Sequence, residues 1–328
     1  MKKKLLLILY IFIFTYIYSN SFVGFKYNGR FGLLDNNLDI VTEPVYKFIS
    51  CGNYIYTKTP EDIFSIYDTD LNLIYKSDVK CNNHYYSENE IILSLQNGKE
   101  YYLLNLSDKS LKKIDFFNFD IKSRWKDKRC VKLDSKNSDF YVIDNMGNVI
   151  IDGLKECAAI YSDGLLAVIL EDGTSGFIDV NGKLIFETPF YFNKDEEFRR
   201  SPLLIYGFSE GQVLVQQTKG EWVVFDECGQ NKKFLENYNL ATFKFCEGSI
   251  VVKKTVNGRT FYGYMNKNLE NYIPCIFSSA SAFENGCAQV VYKEKDALLF
   301  KDGRLYFCED LIKENKTFIK IDEDFKGR

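Results

Sequence analysis

Residues with the chemistry of a catalytic centre are few in this 328-residue sequence. His84 is the only histidine and lies three positions after Cys81, so both a Cys–His dyad and a Ser-His-Asp triad would have to use it. The sequence contains no G-x-S-x-G elbow, no P-loop and no G-x-G-x-x-G motif. We therefore predict no catalytic residue and no cofactor, and we interpret His84 as a turn or surface histidine.

One acidic segment has the beginning of a calcium-binding loop. The segment Asp68-Thr69-Asp70-Leu71-Asn72 starts like an EF-hand, which requires glycine at the sixth position and glutamate at the twelfth. Leu73 and Val79 occupy those positions. We interpret the segment as a turn that ends a strand. Because the clustered cysteines and histidines of a zinc site are also missing, we predict no metal site.

Carboxylates alone can cleave glycosides, and this possibility stays open as an alternative function. It requires two Asp or Glu side chains about 5–5.5 Å or about 6.5–9.5 Å apart in one pocket. The Asp residues that recur in this chain occupy turn positions, where the side chain accepts hydrogen bonds from backbone N–H groups in an Asx-turn. This placement favours a structural role.

A recurring unit positions these residues. It is clearest in SGFIDVNGKLIF (175–186), which predicts two strands joined by an Asn-Gly turn. Eight such hairpins recur, and successive first strands end 33, 37, 39, 35, 47, 40 and 35 residues apart. This spacing is typical of a repeat protein. The strand-ending residues are Asp35, Asp68, Asn105, Asp144, Asp179, Asp226, Asn266 and Lys301.

A second element accompanies the later hairpins, as in SDGLLAVILEDG (162–173) and FCEGSIVVKKTVNG (245–258). An acidic or polar residue is followed by glycine and then by a strand, so each repeat holds three or four antiparallel strands. Phe177, Trp222 and Tyr264 are predicted to pack over the neighbouring repeat, a role that Leu33 and Val142 take elsewhere. Helical turns are expected only at 194–200 and 309–316.

These residues resemble the WG-repeat family, also called KWG repeats. The similarity is carried by Gly176-Phe177-Ile178-Asp179 with Gly182, by Gly263-Tyr264-Met265-Asn266 with Ile273-Pro274, and by segments 208–211 and 283–286. It extends over residues 22–308 in eight degenerate copies, although Trp222 is not followed by the usual glycine. The resemblance implies an interaction repeat, often exported, with no shared catalytic residues.

The predicted fold is all-β, with residues 22–328 as a single WG-repeat domain. A seven- or eight-bladed β-propeller fits three or four strands per repeat, and an open β-solenoid is the alternative. Strands at 22–27 and 318–322 are expected to share a blade and so remove the exposed edges.

The N-terminus predicts export. Lys2, Lys3 and Lys4 precede the uncharged run 5–18, so residues 1–21 have the pattern of a signal peptide, with an uncleaved signal anchor as the alternative. Nine cysteines are interpreted as small buried hydrophobes, with disulfides as the other possibility. The net charge of −3 and the lack of a basic block predict no nucleic-acid partner.

Together these patterns favour an exported, non-enzymatic scaffold for a protein, a peptide or an envelope glycan. The binding residues remain unknown, although the charged insertion 193–200 is a candidate contact loop. Two alternatives stay open: a carboxylate-only glycoside-cleaving propeller, and a structural envelope component that contacts the membrane only through residues 5–18.

Overall fold

The computed structural model describes the chain as two compact units. Unit 1 comprises residues 22–81 and 283–321, and unit 2 comprises residues 82–282. The signal-like segment 1–21 and the insertion 193–200 lie outside the described residues, as does Asp144. The described ranges are 22–86, 90–95, 100–114, 130–133, 140–143, 148–158, 161–191, 203, 206–235 and 239–321.

Short strands make up nearly all of the described secondary structure. One helix, α1, spans Cys308–Ile312 and overlaps the segment 309–316, which is expected to form a helical turn. In chain order the strands are β1 (Val23–Tyr27), β2 (Arg30–Leu34), β3 (Ile40–Tyr46), β4 (Phe48–Cys51), β5 (Ile55–Lys58), β6 (Phe64–Tyr67), β7 (Leu73–Lys76), β8 (Cys81–Tyr86), β9 (Glu90–Leu95), β10 (Glu100–Asn105), β11 (Leu111–Ile114), β12 (Cys130–Leu133), β13 (Phe140–Ile143), β14 (Val149–Cys157), β15 (Leu166–Leu170), β16 (Ser175–Ile178), β17 (Leu184–Glu187), β18 (Gln212–Thr218), β19 (Glu221–Asp226), β20 (Asn231–Leu235), β21 (Asn239–Leu240), β22 (Ser249–Val256), β23 (Arg259–Asn266), β24 (Asn271–Phe277), β25 (Ser279–Ala280), β26 (Cys287–Tyr292), β27 (Lys295–Phe300), β28 (Arg304–Phe307) and β29 (Ile319–Lys320).

Strands that follow one another in the chain pair antiparallel. In unit 1, sheets form from β1 to β3, from β4 to β7 and from β26 to β29; in unit 2 they form from β8 to β11, from β12 to β17, from β18 to β20 and from β21 to β24. The predicted all-β fold of antiparallel repeats, of the β-propeller type, is confirmed. The sheet from β12 to β17 contains two of the predicted hairpins, so the blades number slightly fewer than the eight hairpins.

At two junctions the last strand of one repeat continues directly into the next repeat. In unit 2, Ile151 of β14 pairs with Val142 of β13, whereas Cys157 at the other end of β14 pairs with Val168 of β15. In unit 1, only Lys47 separates β3 from β4, and its N–H still donates to the Lys58 carbonyl at 2.8 Å. At these two junctions the neighbouring repeats are joined by extended chain that keeps its hydrogen bonds.

The glycine before the packing residue lies against the outer strand of its own sheet. A Cβ on Gly263 would lie 2.6 Å from the Ile273 carbonyl oxygen and 2.8 Å from the Cys275 nitrogen. The β23–β24 pairing shifts register at this point, so the outer strand bulges toward the glycine. A Cβ on Gly32 would similarly lie 2.6 Å from the Thr42 oxygen. In these two repeats the close backbone contact therefore requires glycine.

The predicted packing of the following side chain is also confirmed. Phe177 is fully buried, and its ring contacts Phe208 of the next repeat edge to face, with centroids 5.1 Å apart. Trp222 stacks on Phe243 at 5.4 Å. Aromatic pairs of this kind add about 0.5–1.5 kcal/mol beyond the burial of apolar area. Leu33 and Val142 are buried as well.

The expectation that 22–27 and 318–322 share a blade is wrong. β1 pairs with β2, and β29 pairs with β28, so the two segments belong to different sheets. Side chains of β26 and its preceding turn instead join the ends of unit 1. Gln289 accepts from the Lys26 N–H at 3.0 Å and donates to the Gly24 carbonyl, and Asn285 donates to the Phe22 carbonyl at 3.1 Å.

Candidate functional site

The recurring Asp and Asn residues form Asx-turns, as predicted. In the turn after β16, Asp179 Oδ1 accepts from the N–H groups of Asn181 at 2.8 Å and Lys183 at 2.9 Å. Lys301 carries no such oxygen, and the neighbouring Asp302 accepts from the Arg304 N–H instead. The other residues with two backbone donors on one side-chain oxygen are Asp35, Asp68, Asn105, Asp226 and Asn266.

The EF-hand-like segment is one of these turns. Asp68 Oδ1 accepts from the N–H groups of Asp70 and Asn72, and its Oδ2 accepts from Asn72 Nδ2 at 3.0 Å. Both carboxylate oxygens are therefore engaged in closing the turn. In the part of the chain that the structure describes, no group of three or more His, Cys, Asp or Glu side chains has the arrangement of a metal site.

Three Asx-turns place leucine in a left-handed backbone conformation. Leu38, Leu71 and Leu269 have φ of 65°, 65° and 63°. The corresponding residues of two other turns are Gly182 and Gly229, which adopt positive φ without a steric penalty. A side chain with a Cβ costs about 1–2 kcal/mol in this conformation, so these turns retain backbone strain.

The acidic or polar residue before glycine forms the second recurring turn. Glu210 has φ of 56° and Gly211 has φ of 77°, the combination of a type I′ turn, and Ser209 bridges to Gln212 across it. The turns at 162–165, 246–249 and 284–287 have the same bridge and the same pair of positive φ angles. We call these the acid–glycine turns, although Asn285 replaces the acid in the last of them.

In unit 2 both kinds of turn lie at the same end of the sheets. Gln212 at the start of β18 pairs with Asp226, and Ser249 at the start of β22 pairs with Asn266. The first residue of each of these strands therefore lies beside the residue that begins an Asx-turn. We call this surface the turn face. It consists of residues 162–165, 179–183, 209–212, 226–230, 246–249 and 266–270.

Hydrogen bonds across the turn face connect one sheet with the next. Asp163 Oδ2 accepts from the Gly211 N–H at 3.1 Å. Glu210 accepts from the Gly248 N–H with both carboxylate oxygens, at 2.9 and 3.2 Å. In each case the acid binds the glycine of the following acid–glycine turn.

A lysine completes the second of these contacts. Lys267 Nζ lies 3.1 Å from Glu210 Oε2 and 2.8 Å from the Glu210 carbonyl oxygen. Partial burial acts to raise the pKa of Glu210, but the hydrogen bonds from Lys267 and Gly248 outweigh it, so the pKa lies below its ordinary value. Glu210 is therefore ionised at neutral pH.

Lys244 is the half-buried cation of this region. A Cβ on Gly207 would lie 3.0 Å from Lys244 Cε and 2.8 Å from Ser162 Oγ, so the lysine side chain crosses the space that glycine leaves open. Burial lowers the pKa of Lys244, whereas Cys246 and Asp163 act in the opposite direction.

The remaining sequence candidates are dispersed. His84 lies in β8 and not in a turn. Cys51, Cys81, Cys157, Cys287 and Cys308 are buried, in agreement with their interpretation as small hydrophobes, and Cys228 is exposed. Among the eight cysteines whose side chains the structure describes, none forms a disulfide. Within the described ranges no helix has the length and apolar character needed to cross a membrane.

Comparison with known proteins gives one family match. Residues 262–295 match the model of the WG containing repeat, and no curated protein matches the chain. A crystal structure of a eukaryotic initiation factor has a TM-score of 0.50 and 10% identity, with 88% of this chain and 93% of that chain covered. At this identity the likeness concerns the fold alone.

Two further structures are similar at lower scores. Dihydro-heme d1 dehydrogenase NirN has a TM-score of 0.48 and 14% identity, with 93% of this chain and 73% of that chain covered. BamB from Moraxella catarrhalis has a TM-score of 0.40 and 10% identity, with 74% of this chain and 80% of that chain covered.

The segment 262–295 that matches the family model contains Gly263, Tyr264, the Asn266 turn and the bulged strand β24. Over these residues the chain is therefore similar to one WG containing repeat.

Proposed function

We propose that this protein is an exported, non-enzymatic repeat scaffold that binds a protein, a peptide or an envelope glycan. Export is supported by the basic residues Lys2 to Lys4 and the uncharged run 5–18 that follows them. Scaffolding is supported by the succession of antiparallel sheets built from one recurring unit.

One observation carries the non-enzymatic part of the proposal. The recurring acids use their oxygens to hold backbone N–H groups, as Asp179 and Asp226 do within their turns and Glu210 does between sheets. These hydrogen bonds give the carboxylates a structural role in the turns and between the sheets. Burial also raises the pKa of Cys51 and of Cys308 to about 12, which keeps both thiols protonated and poorly nucleophilic at neutral pH.

Exposed apolar side chains give the scaffold a recurring contact surface. Val45 on β3, Leu73 on β7, Leu111 on β11 and Val149 on β14 are 55%, 50%, 44% and 55% exposed. Single exposed hydrophobic residues are ordinary on protein surfaces. Their recurrence on the later strands of four repeats, however, makes these strands the favoured place for a partner to contact.

Export is tested by the N-terminal sequence and the cellular fraction of the native protein. A new N-terminus near residues 19–22 in a soluble exported fraction supports the proposal. An intact Met1 in the membrane fraction would favour the tethered structural component. Full-length protein in the soluble cytoplasmic fraction would contradict export altogether.

Binding is tested with a photo-crosslinking amino acid at Leu73 or Val149, installed in the full chain in its native cells. The matched control is Glu171, an exposed residue in the turn between β15 and β16. One discrete adduct at the apolar positions, absent from the control, is expected. Its sensitivity to protease or to glycosidase then identifies the partner class. Identical adduct patterns at all three positions would refute a specific surface.

A further inference from the structure

We propose that the acids of the first two acid–glycine turns of unit 2 are latches, each of which holds the following sheet against its own, and that the Glu210 latch opens at acid pH. The proposal concerns Asp163 and Glu210, the two acids whose carboxylates bind a glycine of the next turn. It is independent of what the protein binds.

The geometry of the two contacts is the first argument. Asp163 and Gly211 are 48 residues apart in the chain, and Glu210 and Gly248 are 38 apart. Yet donor and acceptor occupy the same positions of their turns in both cases. The contact repeats with the fold and is not a consequence of local sequence. Because Asp163 precedes β15, Gly211 precedes β18 and Gly248 precedes β22, the two bonds connect three successive sheets.

The backbone conformation of the acids is the second argument. Asp163 and Glu210 have φ of 50° and 56°, a region in which glycine or asparagine is less costly than glutamate. Strain of this kind persists where the surroundings impose it. The bond from the carboxylate to the next sheet offsets the strain, and it gives a physical reason for an acid at this position.

The charged groups around Glu210 set the pH dependence of its latch. Lys267 from the 266–270 turn faces Glu210, with Nζ 3.1 Å from Oε2. The carboxylate of Glu227 faces Gly211, because a Cβ on that glycine would lie 3.5 Å from Glu227 Oε1. The pKa of Glu210 is lowered in the folded protein from its ordinary value of 4.5. Its contribution is therefore complete above that value and is lost as the pH falls through the folded pKa.

Amide hydrogen exchange of Gly211 and Gly248, resolved by NMR on the full chain, tests the latch. Glu210→Ala is expected to accelerate exchange at Gly248 by about tenfold, or about 1.4 kcal/mol, and to leave Gly211 within about twofold of the parent protein. Asp163→Ala is expected to accelerate amide exchange at Gly211 and to leave the exchange rate of Gly248 unchanged. This crossed pattern separates a latch from general destabilisation, which would affect both glycines together.

Two further variants complete the test. Glu210→Gln keeps an acceptor oxygen without the charge, so Gly248 should show an intermediate rate and its amide shift should no longer titrate at acid pH. Glu171→Ala removes an exposed acid away from the turn face and should change neither glycine. Unchanged rates in both alanine variants, or equal acceleration of both glycines by either one, would overturn the proposal.

Discussion

Replacing Gly263 by alanine should be among the most damaging small substitutions in unit 2. The added Cβ would lie 2.6 Å from the Ile273 oxygen and 2.7 Å from the Pro274 carbonyl carbon. Carbon atoms pack best at about 3.5–4.0 Å, so β24 would have to withdraw by at least about 0.8 Å. Overpacking typically costs about 1–3 kcal/mol. Because the obstacle is backbone next to a proline of fixed φ, we expect about 3 kcal/mol for Gly263→Ala.

Urea unfolding followed by far-ultraviolet circular dichroism measures this cost as a fall in the midpoint at constant m-value. Gly258→Ala is the matched control, because Gly258 turns the same hairpin and has φ of 75° but no atom within 4 Å of an added Cβ. Gly258→Ala should lower the free energy of unfolding by only about 1–2 kcal/mol, the cost of holding alanine in a left-handed conformation. Gly52→Ala, with open space and no positive φ, should be neutral or slightly stabilising. A loss for Gly263→Ala no greater than that for Gly258→Ala would refute the close-approach argument.

Three further predictions follow from the turns and the thiols. Leu71→Gly should raise the stability of unit 1 by about 1 kcal/mol, because it relieves the strain at φ of 65°; a lower urea midpoint would mean that the leucine packs usefully. Thiol reagents at pH 8 should modify exposed Cys228 first and reach Cys51 and Cys308 only on unfolding, since burial raises the pKa of both to about 12; mass spectrometry of the labelled peptides decides this. The urea midpoint should fall less steeply between pH 6 and pH 3 in Glu210→Gln than in the parent protein, because the lowered pKa of Glu210 makes its ionised form the stabilising one, and parallel curves would contradict this.

Local turn chemistry explains what the sequence could predict. The segment Asp179-Val-Asn181-Gly182 contains both the carboxylate that accepts the turn hydrogen bonds and a glycine that adopts positive φ. The Asx-turn and the hairpin can therefore be predicted without tertiary information. The buried aromatic Phe177 was predictable for the same reason, because a single small sheet cannot bury its own faces.

Contacts between sheets were not predictable in this way. The bond from Glu210 to Gly248 joins residues 38 positions apart, and nothing in either segment indicates which glycine the acid will reach. The reason for Gly263 was missed because it depends on a bulge in β24, ten residues further along the chain. Leu71 in a left-handed conformation was missed because leucine is a poor predictor of positive φ.

The strands that connect neighbouring repeats also affect how the number of repeats in such a chain can change. Because β14 belongs to two repeats, a cut between those repeats divides a strand, and at the β3–β4 junction only Lys47 lies outside the strands. A duplication or deletion bounded within β14 would leave half-strands with unpaired edges. Boundaries within the Asx-turns, from one strand-ending Asp to the next, would preserve all pairings. We therefore expect repeats of this kind to be gained or lost with breakpoints in the exposed turns, and not at the boundaries between the sheets.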